Sequence, residues 1–280
     1  MKVLVIGSNG FIANNLINQL KKEHYVVGAY NFNKQNLCED INHISIDKLD
    51  SLDSEFDQVY LLSAFIPVGQ ISNSERKSMF EANVELVDLV CKKYANSKII
   101  YCSTVSVYNL KGAEIFESDN EGGLNEYGLS KMWGERIIRT TKNYSIVRLS
   151  SVYGTGMKLN TIIPTYISQA IKNNEIKIWG NGSRKQNYIH ATDAVNFLIS
   201  ASVLGENDVF LGTACESVSN FQLAEIISNK TGCKVTFIGN DESSSFYYDN
   251  KYTQAKLDYK PSISLEEGIE SLIKWIKEKY

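Results

Sequence analysis

Tyr127 and Lys131, at the two ends of the segment YGLSK, are the residues whose types and spacing best match a chemical role. A spacing of four residues places both side chains on one face of a helix, one turn apart. An unperturbed tyrosine has a pKa of about 10, and a neighbouring ammonium stabilises its phenolate form. The pair therefore predicts a phenol that exchanges a proton with a substrate oxygen, although Tyr and Lys share this spacing by chance on many helices.

Two hydroxyl side chains, Ser103 and Thr104, follow an apolar run at 99–102 that predicts a buried strand. Ligands of open α/β sheets bind at the carboxyl ends of the strands. Either hydroxyl could therefore hold a substrate oxygen while Tyr127 moves its proton.

A glycine turn near the amino terminus predicts where a cofactor binds. The apolar run VLVI at 3–6 predicts a buried strand, GSNGFIA follows at 7–13, and apolar residues then recur at helical spacing. Gly7 permits a sharp turn, Gly10 lets a phosphate approach the backbone, and the helix amino terminus offers free N–H groups. A plain strand–helix turn with incidental glycines is the alternative, but this context favours a dinucleotide site. The residues of the turn expected to contact the dinucleotide are Gly7, Asn9, Gly10, Phe11 and Ile12.

The end of the second predicted strand, at 25–30, bears on which dinucleotide binds. An Asp or Glu there would hydrogen-bond the adenosine ribose, but this chain has Asn31, followed by Lys34. With no carboxylate to repel a 2′-phosphate, NADP is at least as well supported as NAD, and Lys34 either pairs with that phosphate or is simply solvated. Asp47, at the end of a third predicted strand, either caps a loop or touches the adenine.

Two further elements complete the predicted cofactor site. A fourth strand over 57–64 ends in Leu62, Ser63 and Ala64, and the last two are small enough to leave room over a pyrophosphate. A helical pattern over 78–94 contains Asn83 as its polar exception, either beside the cofactor or as a cap for a neighbouring loop.

Further along the chain, Thr192 or Asp193 is predicted to N-cap a helix over 194–203.

Composition excludes several other classes of protein. The 280 residues are 43% hydrophobic and carry a formal net charge of -3, so nothing marks a surface for nucleic acid or for an anionic membrane. Five cysteines without a C-x-x-C pair predict reduced thiols and a cytoplasmic location, and three histidines make a metal centre unexpected. No apolar run reaches the roughly 18 residues of a membrane span, and no signal segment precedes the first strand.

Taken together, the motifs resemble the extended short-chain dehydrogenase/reductase family, in its NAD(P)-dependent branch of nucleotide-sugar epimerases, dehydratases and reductases. The resemblance covers nearly the whole chain. Its motifs are GSNGFIA at 7–13, LLSA at 61–64, STVSVY at 103–108, YGLSK at 127–131, RLSSVYGTG at 148–156, GNGSRKQNYIHATDA at 180–194 and KPSISLEEGIESLIKW at 260–275, together with Asp47 and Asn83.

This resemblance implies a doubly wound parallel sheet, the Rossmann fold, with a small α+β carboxyl-terminal lobe. The NAD(P)-binding domain would comprise residues 1–155 and about 187–213, and the substrate-binding lobe about 156–186 and 214–280. The resemblance also implies that Tyr127 is the acid/base, that Lys131 binds the nicotinamide ribose and lowers the tyrosine pKa, and that Thr104 binds the substrate. A homodimer through the helices around 83–94 and 127–140 is implied as well.

Several positions depart from the family pattern. Val105 and Ser106 stand where dehydratases carry an Asp-Glu pair, so dehydration is disfavoured. Ser151 stands where Asn is common, and Gln186 stands where an Arg usually binds the diphosphate, with Arg184 and Lys185 just before it. The substrate-binding residues are thus expected to be Ser103, Thr104, Ser151, Arg184 and Gln186, around a nucleotide-diphosphate sugar.

The sequence therefore predicts a reductase that transfers a hydride from the nicotinamide to the C4 ketone of a nucleotide-linked 4-keto-6-deoxy sugar. The alternative enzyme is an NAD-dependent 4-epimerase, which uses the same Tyr127, Thr104 and Lys131. The alternative of another class is a non-catalytic NAD(P)-binding regulator, which would have no use for an active tyrosine.

Overall fold

The glycine turn lies at the centre of a parallel sheet in the structure, a computed structural model that describes residues 1–31, 33–52, 55–109, 112–123 and 125–279. The strands of this part of the chain are β1 (Lys2–Ile6), β2 (Tyr25–Tyr30), β3 (Asn42–Ser45), β4 (Gln58–Leu61), β5 (Lys98–Thr104), β6 (Glu114–Ile115), β7 (Tyr144–Leu149), β8 (Ser151–Tyr153), β9 (Glu175–Trp179), β10 (Lys185–Gln186), β11 (Tyr188–His190), β12 (Asp208–Gly212), β13 (Val218–Ser219), β14 (Lys234–Ile238) and β15 (Tyr247–Tyr248).

Helices cover most of the connections between these strands. They are α1 (Phe11–Leu20), α2 (Asn73–Phe80), α3 (Leu86–Lys93), α4 (Glu126–Ile138), α5 (Ile162–Asn173), α6 (Ala191–Leu204), α7 (Asn220–Thr231), α8 (Lys251–Leu257) and α9 (Leu265–Lys277). Helices α2 and α3 are joined by a π turn at Glu81–Glu85, so the two form one continuous helical stretch.

Seven strands form one sheet, in the order β12-β7-β5-β4-β1-β2-β3. Every neighbouring pair in it is parallel. The strand order reverses at β1, because the chain leaves β1 towards β2 and β3 and then returns to the other side at β4. Such a reversal opens a crevice at the carboxyl ends of the strands, where ligands of open α/β sheets bind. The predicted doubly wound α/β sheet is therefore confirmed.

Alternation along β1 explains why the sheet has a helical layer on each face. Val3 and Val5 belong to a core cluster with α1 and α6, whereas Leu4 and Ile6 belong to a second cluster with α3 and α4. Successive side chains of a strand point to opposite faces, so a run that is apolar at every position must be covered on both sides.

A third core cluster lies in the carboxyl-terminal part of the chain. It joins α5, α7 and α9 to strands β9 and β14. The two-domain division predicted from the sequence stays a prediction, and one element of the predicted lobe packs elsewhere: Leu257 of α8 lies in the cluster formed by β1, α1 and α6.

Helix α6 begins differently from the prediction. His190 is its N-cap, because the ring accepts a hydrogen bond from Thr192 N at 3.3 Å, so the predicted cap at Thr192 or Asp193 is wrong. Asp193 is buried instead, and it accepts hydrogen bonds from Tyr259 Oη (2.6 Å) and Ile263 N (3.1 Å). Its carboxylate therefore holds the segment between α8 and α9 against the sheet domain.

Candidate active site

The turn after β1 leaves no room for a side chain at Gly7. Gly7 has φ 86°, and its N–H donates to Ala29 O at 2.8 Å. A Cβ at this position would lie 2.8 Å from Ser63 N, so only a hydrogen fits between the turn and the end of β4. Gly10 then precedes α1 as an N-cap that has no capping side chain. The first N–H groups of α1 are therefore available to an anion at the crevice of the sheet.

The loop after β2 is held over this turn by two asparagines. Asn9 Nδ2 donates to Asn33 O at 2.9 Å, and Asn14 Nδ2 donates to Asn36 O at 2.7 Å. Asn31 and Lys34 of the same loop are exposed. Asp47 is exposed as well, and the Ser45 hydroxyl that donates to it lowers the pKa of its carboxyl. The structure thus places Asn9, Asn31 and Lys34 around the glycine turn.

Helix α4 carries Tyr127 and Lys131, and two contacts fix where it begins. Asn125 caps it by accepting a hydrogen bond from Gly128 N at 2.8 Å. The backbone of Gly128 lies so close to the turn after β5 that a Cβ there would be 2.1 Å from Ser106 O. These contacts hold the start of the helix against the residues that follow Thr104.

Lys131 is buried without a hydrogen-bond partner among the residues that the structure describes. Its side chain is 1% exposed, and Nζ lies 3.9 Å from the centroid of the Tyr101 ring. Burial lowers the Lys131 pKa to about 8, against opposing contributions from Cys102 and Glu135. A buried ammonium with three unused donors requires oxygen acceptors. The residues that the structure describes supply no such oxygen acceptor to Lys131.

The pKa of Tyr127 changes in the direction opposite to the predicted one. Burial raises the pKa of its phenol above the usual value, and the thiol of Cys102 raises it further. The lowering predicted from Lys131 is therefore absent, because the loss of hydration at this site outweighs any attraction between the phenolate and the ammonium. A second positive charge near the ring is needed to make the phenol an effective base.

The two hydroxyls at the end of β5 face different partners. Thr104 is half-buried, and its Oγ1 accepts a hydrogen bond from Ser106 N at 3.2 Å. Ser103 is buried, and its hydroxyl donates to Glu135 Oε1 at 2.5 Å. The structure therefore places Thr104 at the crevice, whereas the hydroxyl of Ser103 is bonded to Glu135 in the interior, and its contact with a substrate stays a prediction.

Asn83 supports the loop after β4. Its amide accepts a hydrogen bond from Phe65 N at 2.8 Å and donates to Phe65 O at 3.1 Å and to Ser130 Oγ at 2.9 Å. Since the side chain is fully buried and these contacts use both of its polar atoms, Asn83 ties that loop to α4. Leu62, Ser63 and Ala64 lie in the loop it supports, beside Gly7.

A buried ion pair beneath α4 was missed by the sequence analysis. Glu135 and Arg148 are both buried, and Arg148 donates from Nε to Oε1 (3.0 Å) and from NH2 to Oε2 (2.6 Å). Arg148 also donates to Tyr108 Oη at 2.6 Å and to Glu121. Two sequence signals could have revealed it: Glu135 continues the stripe of Tyr127 and Lys131 by one more turn, and Arg148 interrupts an otherwise apolar strand.

The predicted substrate residues come together only in part. Strand β8 pairs Ser151 with Tyr188 of β11, next to Gln186. Gln186 Nε2 donates to Asn220 Oδ1 at 3.2 Å, and Arg184 Nε lies 3.5 Å from Ser244 O. Ser151 is exposed, whereas Arg184 and Gln186 are half-buried. These three residues therefore share one region, on elements other than strand β5, which carries Thr104, and helix α4, which carries Tyr127.

Two negative findings hold for the described residues. No cluster of three or more His, Cys, Asp or Glu side chains in them could hold a metal ion. None of their helices is both long enough and apolar enough to pass through a bilayer.

Comparisons with known proteins agree with this geometry. The model of the NAD dependent epimerase/dehydratase family matches residues 3–209. A putative UDP-glucose 4-epimerase of Methanocaldococcus jannaschii is 26% identical over 301 residues, which cover 98% of each chain. A dTDP-4-dehydro-6-deoxyglucose reductase of Escherichia coli is 29% identical over 195 residues, 64% of this chain and 61% of the relative. The crystal structure of a UDP-glucuronic acid 4-epimerase from Bacillus cereus, in complex with UDP-glucuronic acid and NAD, covers 100% of both chains with a TM-score of 0.88 at 23% identity, and this likeness shows the fold.

Proposed function

The chain belongs to the NAD dependent epimerase/dehydratase family, and from this premise we propose that it is an NAD-dependent enzyme that epimerises a nucleotide-linked sugar at C4. Of the two dinucleotides predicted from the sequence, NAD is the one that the family's description names. The residues at the crevice fit this cofactor, because the turn at Gly7 has no side chain and the start of α1 offers free N–H groups.

The single observation that carries the proposal is the buried ammonium of Lys131, which faces the Tyr101 ring and has no hydrogen-bond partner among the described residues. A buried charge is strongly destabilising unless it is paired or hydrogen-bonded. The nicotinamide ribose offers two hydroxyl oxygens of the kind that this ammonium lacks. Since Tyr127 lies one turn before Lys131, the same placement brings the reactive ring of the cofactor to the phenol.

The chain's own residues supply positioning and proton transfer. Tyr127 takes the proton of the C4 hydroxyl when the sugar is oxidised and returns it when the ketone is reduced. Thr104 donates a hydrogen bond to the same oxygen, and Lys131 holds the cofactor ribose and favours the phenolate. NAD, when bound, supplies the hydride acceptor and, with its positive nicotinamide, the second charge that the half-buried phenol requires.

The cofactor would be held along the carboxyl ends of β1, β2, β3 and β4. We infer direct contacts from the turn, from the loop that follows β2 and from the end of β4, and support through Asn83. The contact residues are Gly7, Asn9, Gly10, Phe11, Ile12, Asn31, Lys34, Asp47, Leu62, Ser63 and Ala64.

The substrate would be a nucleotide-diphosphate sugar, held by Thr104 and by the region of Ser151, Arg184 and Gln186. Because Gln186 is neutral, the cations of this region that could meet an anionic diphosphate are Arg184 and its neighbour Lys185, whose Nζ lies 5.5 Å from the centroid of the Tyr247 ring. Dehydration is disfavoured, since Val105 and Ser106 form the turn after Thr104 and neither can act as an acid or a base at neutral pH.

A reductase remains the second candidate, and two observations favour it. Asn31, which follows β2, offers no carboxylate to the ribose hydroxyls, and this suits a cofactor that dissociates after each turnover. The relative with the higher identity of the two reported above is also a reductase, although it matches only part of the chain.

Purified protein tests the two functions against each other. A panel of UDP-, dTDP-, GDP- and CDP-sugars, with and without a C4 ketone, is incubated with NAD or with a reduced nicotinamide. An epimerase interconverts C4 epimers at constant nicotinamide absorbance, whereas a reductase consumes one reduced nicotinamide for each ketone. If no sugar reacts in either direction while the cofactor binds, the protein is a regulator and the proposal fails.

The helices beside the active site carry an exposed apolar surface, which we define as Phe80, Leu89, Leu129 and Trp133. Trp133 is 54% exposed, and its ring meets that of Phe80 edge-on at 5.5 Å between centroids. The surface lies on α2, α3 and α4, and the last two of these are the helices, around 83–94 and 127–140, that were predicted to form a homodimer. We infer that a second copy of the chain covers this surface.

Trp133→Glu is expected to convert the dimer into a monomer, because it places a charge at the centre of the apolar contact. Sedimentation velocity would show the mass falling by half. Trp179→Glu is the matched control, since Trp179 is 60% exposed on β9, away from these helices. The dimer assignment is wrong if the parent protein is already monomeric, or if both variants stay dimeric.

A further inference from the structure

The ring of Tyr101 lies between strand β5 and helix α4, directly against Lys131. Lys131 Nζ lies over the face of this ring, 3.9 Å from its centroid, and the two residues are 1% and 0% exposed. Because side chains of a strand alternate between its faces, Tyr101 and Ser103 leave β5 on the same side, and Ser103 donates to Glu135 of α4 at 2.5 Å. Helix α4 therefore meets β5 through two side chains, and Tyr101 is the one that meets the ammonium.

We propose that Tyr101 is a positioning residue for Lys131: the face of its ring keeps the buried ammonium charged and in place for the hydroxyl oxygens of the cofactor ribose. The inference rests on the proposed function for the identity of that ligand. It goes beyond that function because it gives a role to a residue outside the set of Tyr127, Lys131 and Thr104.

The ring face is the group that contacts this charge. A cation over an aromatic face is attracted by the ring quadrupole, most strongly where water is excluded. Burial raises the pKa of Tyr101 well above its ordinary value, so the phenol is neutral and offers no anionic oxygen. The carboxylate of Glu135, one turn beyond Lys131, is already engaged by Arg148 through both oxygens and by Arg139. Without the ring, a buried ammonium would lose its proton or turn away.

The hydroxyl of Tyr101 does not explain why this side chain is here. Its Oη is buried and has no hydrogen-bond partner among the described residues, which is unfavourable for a hydroxyl. Gly134 makes room for it, since a Cβ on that residue would lie 2.2 Å from Oη and 3.0 Å from Cζ. Any gain from Tyr101 must therefore come from its ring.

The test is the affinity for NADH, measured by fluorescence titration without any sugar, as the ring at position 101 is made electron-poor. Tyr101→Phe removes only the unpaired hydroxyl, and its Kd should stay within about twofold of the parent value. Difluorophenylalanine and pentafluorophenylalanine, incorporated at position 101, keep the shape of the ring and weaken the negative charge of its face in two steps. Kd should rise in that order, roughly threefold and then roughly tenfold, because fewer molecules hold the ammonium ready for the ribose.

Two controls separate this effect from a general response to fluorine. Phe210 of β12 is 1% exposed and lies in the core cluster of α1 and α6, on the other face of the sheet from α4. Pentafluorophenylalanine at position 210 should leave Kd unchanged. Lys131→Met should bind NADH more weakly than the parent, and fluorination at position 101 should then have no further effect on Kd, since the charge on which the ring acts is gone.

A residue that only fills the core predicts another pattern, in which fluorination at position 101 lowers the melting temperature and leaves Kd unchanged, or raises Kd equally with and without Lys131. Either pattern, or parent-like binding by Lys131→Met, overturns the proposal. If the pentafluoro protein does not fold, the difluoro protein carries the test.

The outcome is independent of the sugar chemistry, because no sugar is present. A protein whose Kd follows the ring but which turns over no sugar refutes the proposed function and supports this inference. An active enzyme whose Kd ignores the ring refutes this inference alone.

Discussion

Tyr127→Phe is expected to lower kcat for the sugar by about 10²–10⁴-fold, the usual contribution of a positioned acid/base. The phenyl ring keeps the packing of α4, and Lys131 keeps its place, so the Kd for NAD should change by no more than about twofold. The loss would then appear in kcat and not in cofactor binding, as expected when a group acts only in the transition state. Steady-state rates and a fluorescence titration of the cofactor measure the two quantities separately.

Tyr252→Phe is the control for the loss of a phenol elsewhere. Its hydroxyl bonds to Asp208 at the start of β12, at the opposite end of the sheet from the crevice. This variant should retain the parent kcat. Parent-like turnover by Tyr127→Phe would contradict the assignment of the phenol, and with it the whole proposed reaction.

Gly128→Ala is expected to lower both the stability of the protein and kcat, and this is the second largest of the predicted effects. Within the helix alone, the substitution would be stabilising. Alanine replaces glycine within a helix with a gain of up to about 1 kcal/mol. Here the new Cβ would lie 2.1 Å from Ser106 O, a backbone atom that cannot rotate away. Helix α4 must therefore move away from β5, at a cost typical of overpacking, about 1–3 kcal/mol.

The same displacement separates Tyr127 from Thr104. A shift of about 1 Å at a reacting group can cost 10²-fold in rate, so kcat should fall by at least about that factor. Thermal melting and steady-state kinetics on the same preparation give both numbers.

Gly232→Ala is the control, because Gly232 caps α7 at φ 77° with open space around it. It should cost about 1 kcal/mol in stability and leave kcat unchanged. A stabilised, fully active Gly128→Ala would show that α4 does not rest on Ser106.

Local sequence determined the scaffold of this protein. The run at 3–6 is apolar at every position and ends at a glycine turn, a pattern typical of a strand that is covered on both faces by the helices of a parallel α/β sheet. Gly7 and Gly10 fixed the turn, and the spacing of Tyr127 and Lys131 fixed their shared helix face. Each of these properties depends on neighbours within about ten residues, so a period or a spacing is enough to predict it.

The tertiary structure decided which polar groups were free to act. Ser103 and Thr104 are adjacent in sequence and chemically alike, yet the pleat of β5 turns Ser103 inward to Glu135, 32 residues away. In the same way, tertiary contacts made Phe65 a hydrogen-bond partner of Asn83. Burial raised the pKa of Tyr127, whereas the sequence predicted that it would be lowered. Burial and the partner of a polar group are set by contacts between distant segments, and no local pattern records them. The sequence therefore singled out Tyr127 and Lys131, whose acid/base role stays a prediction, whereas the fold showed that the Lys131 ammonium is buried with no hydrogen-bond acceptor among the described residues.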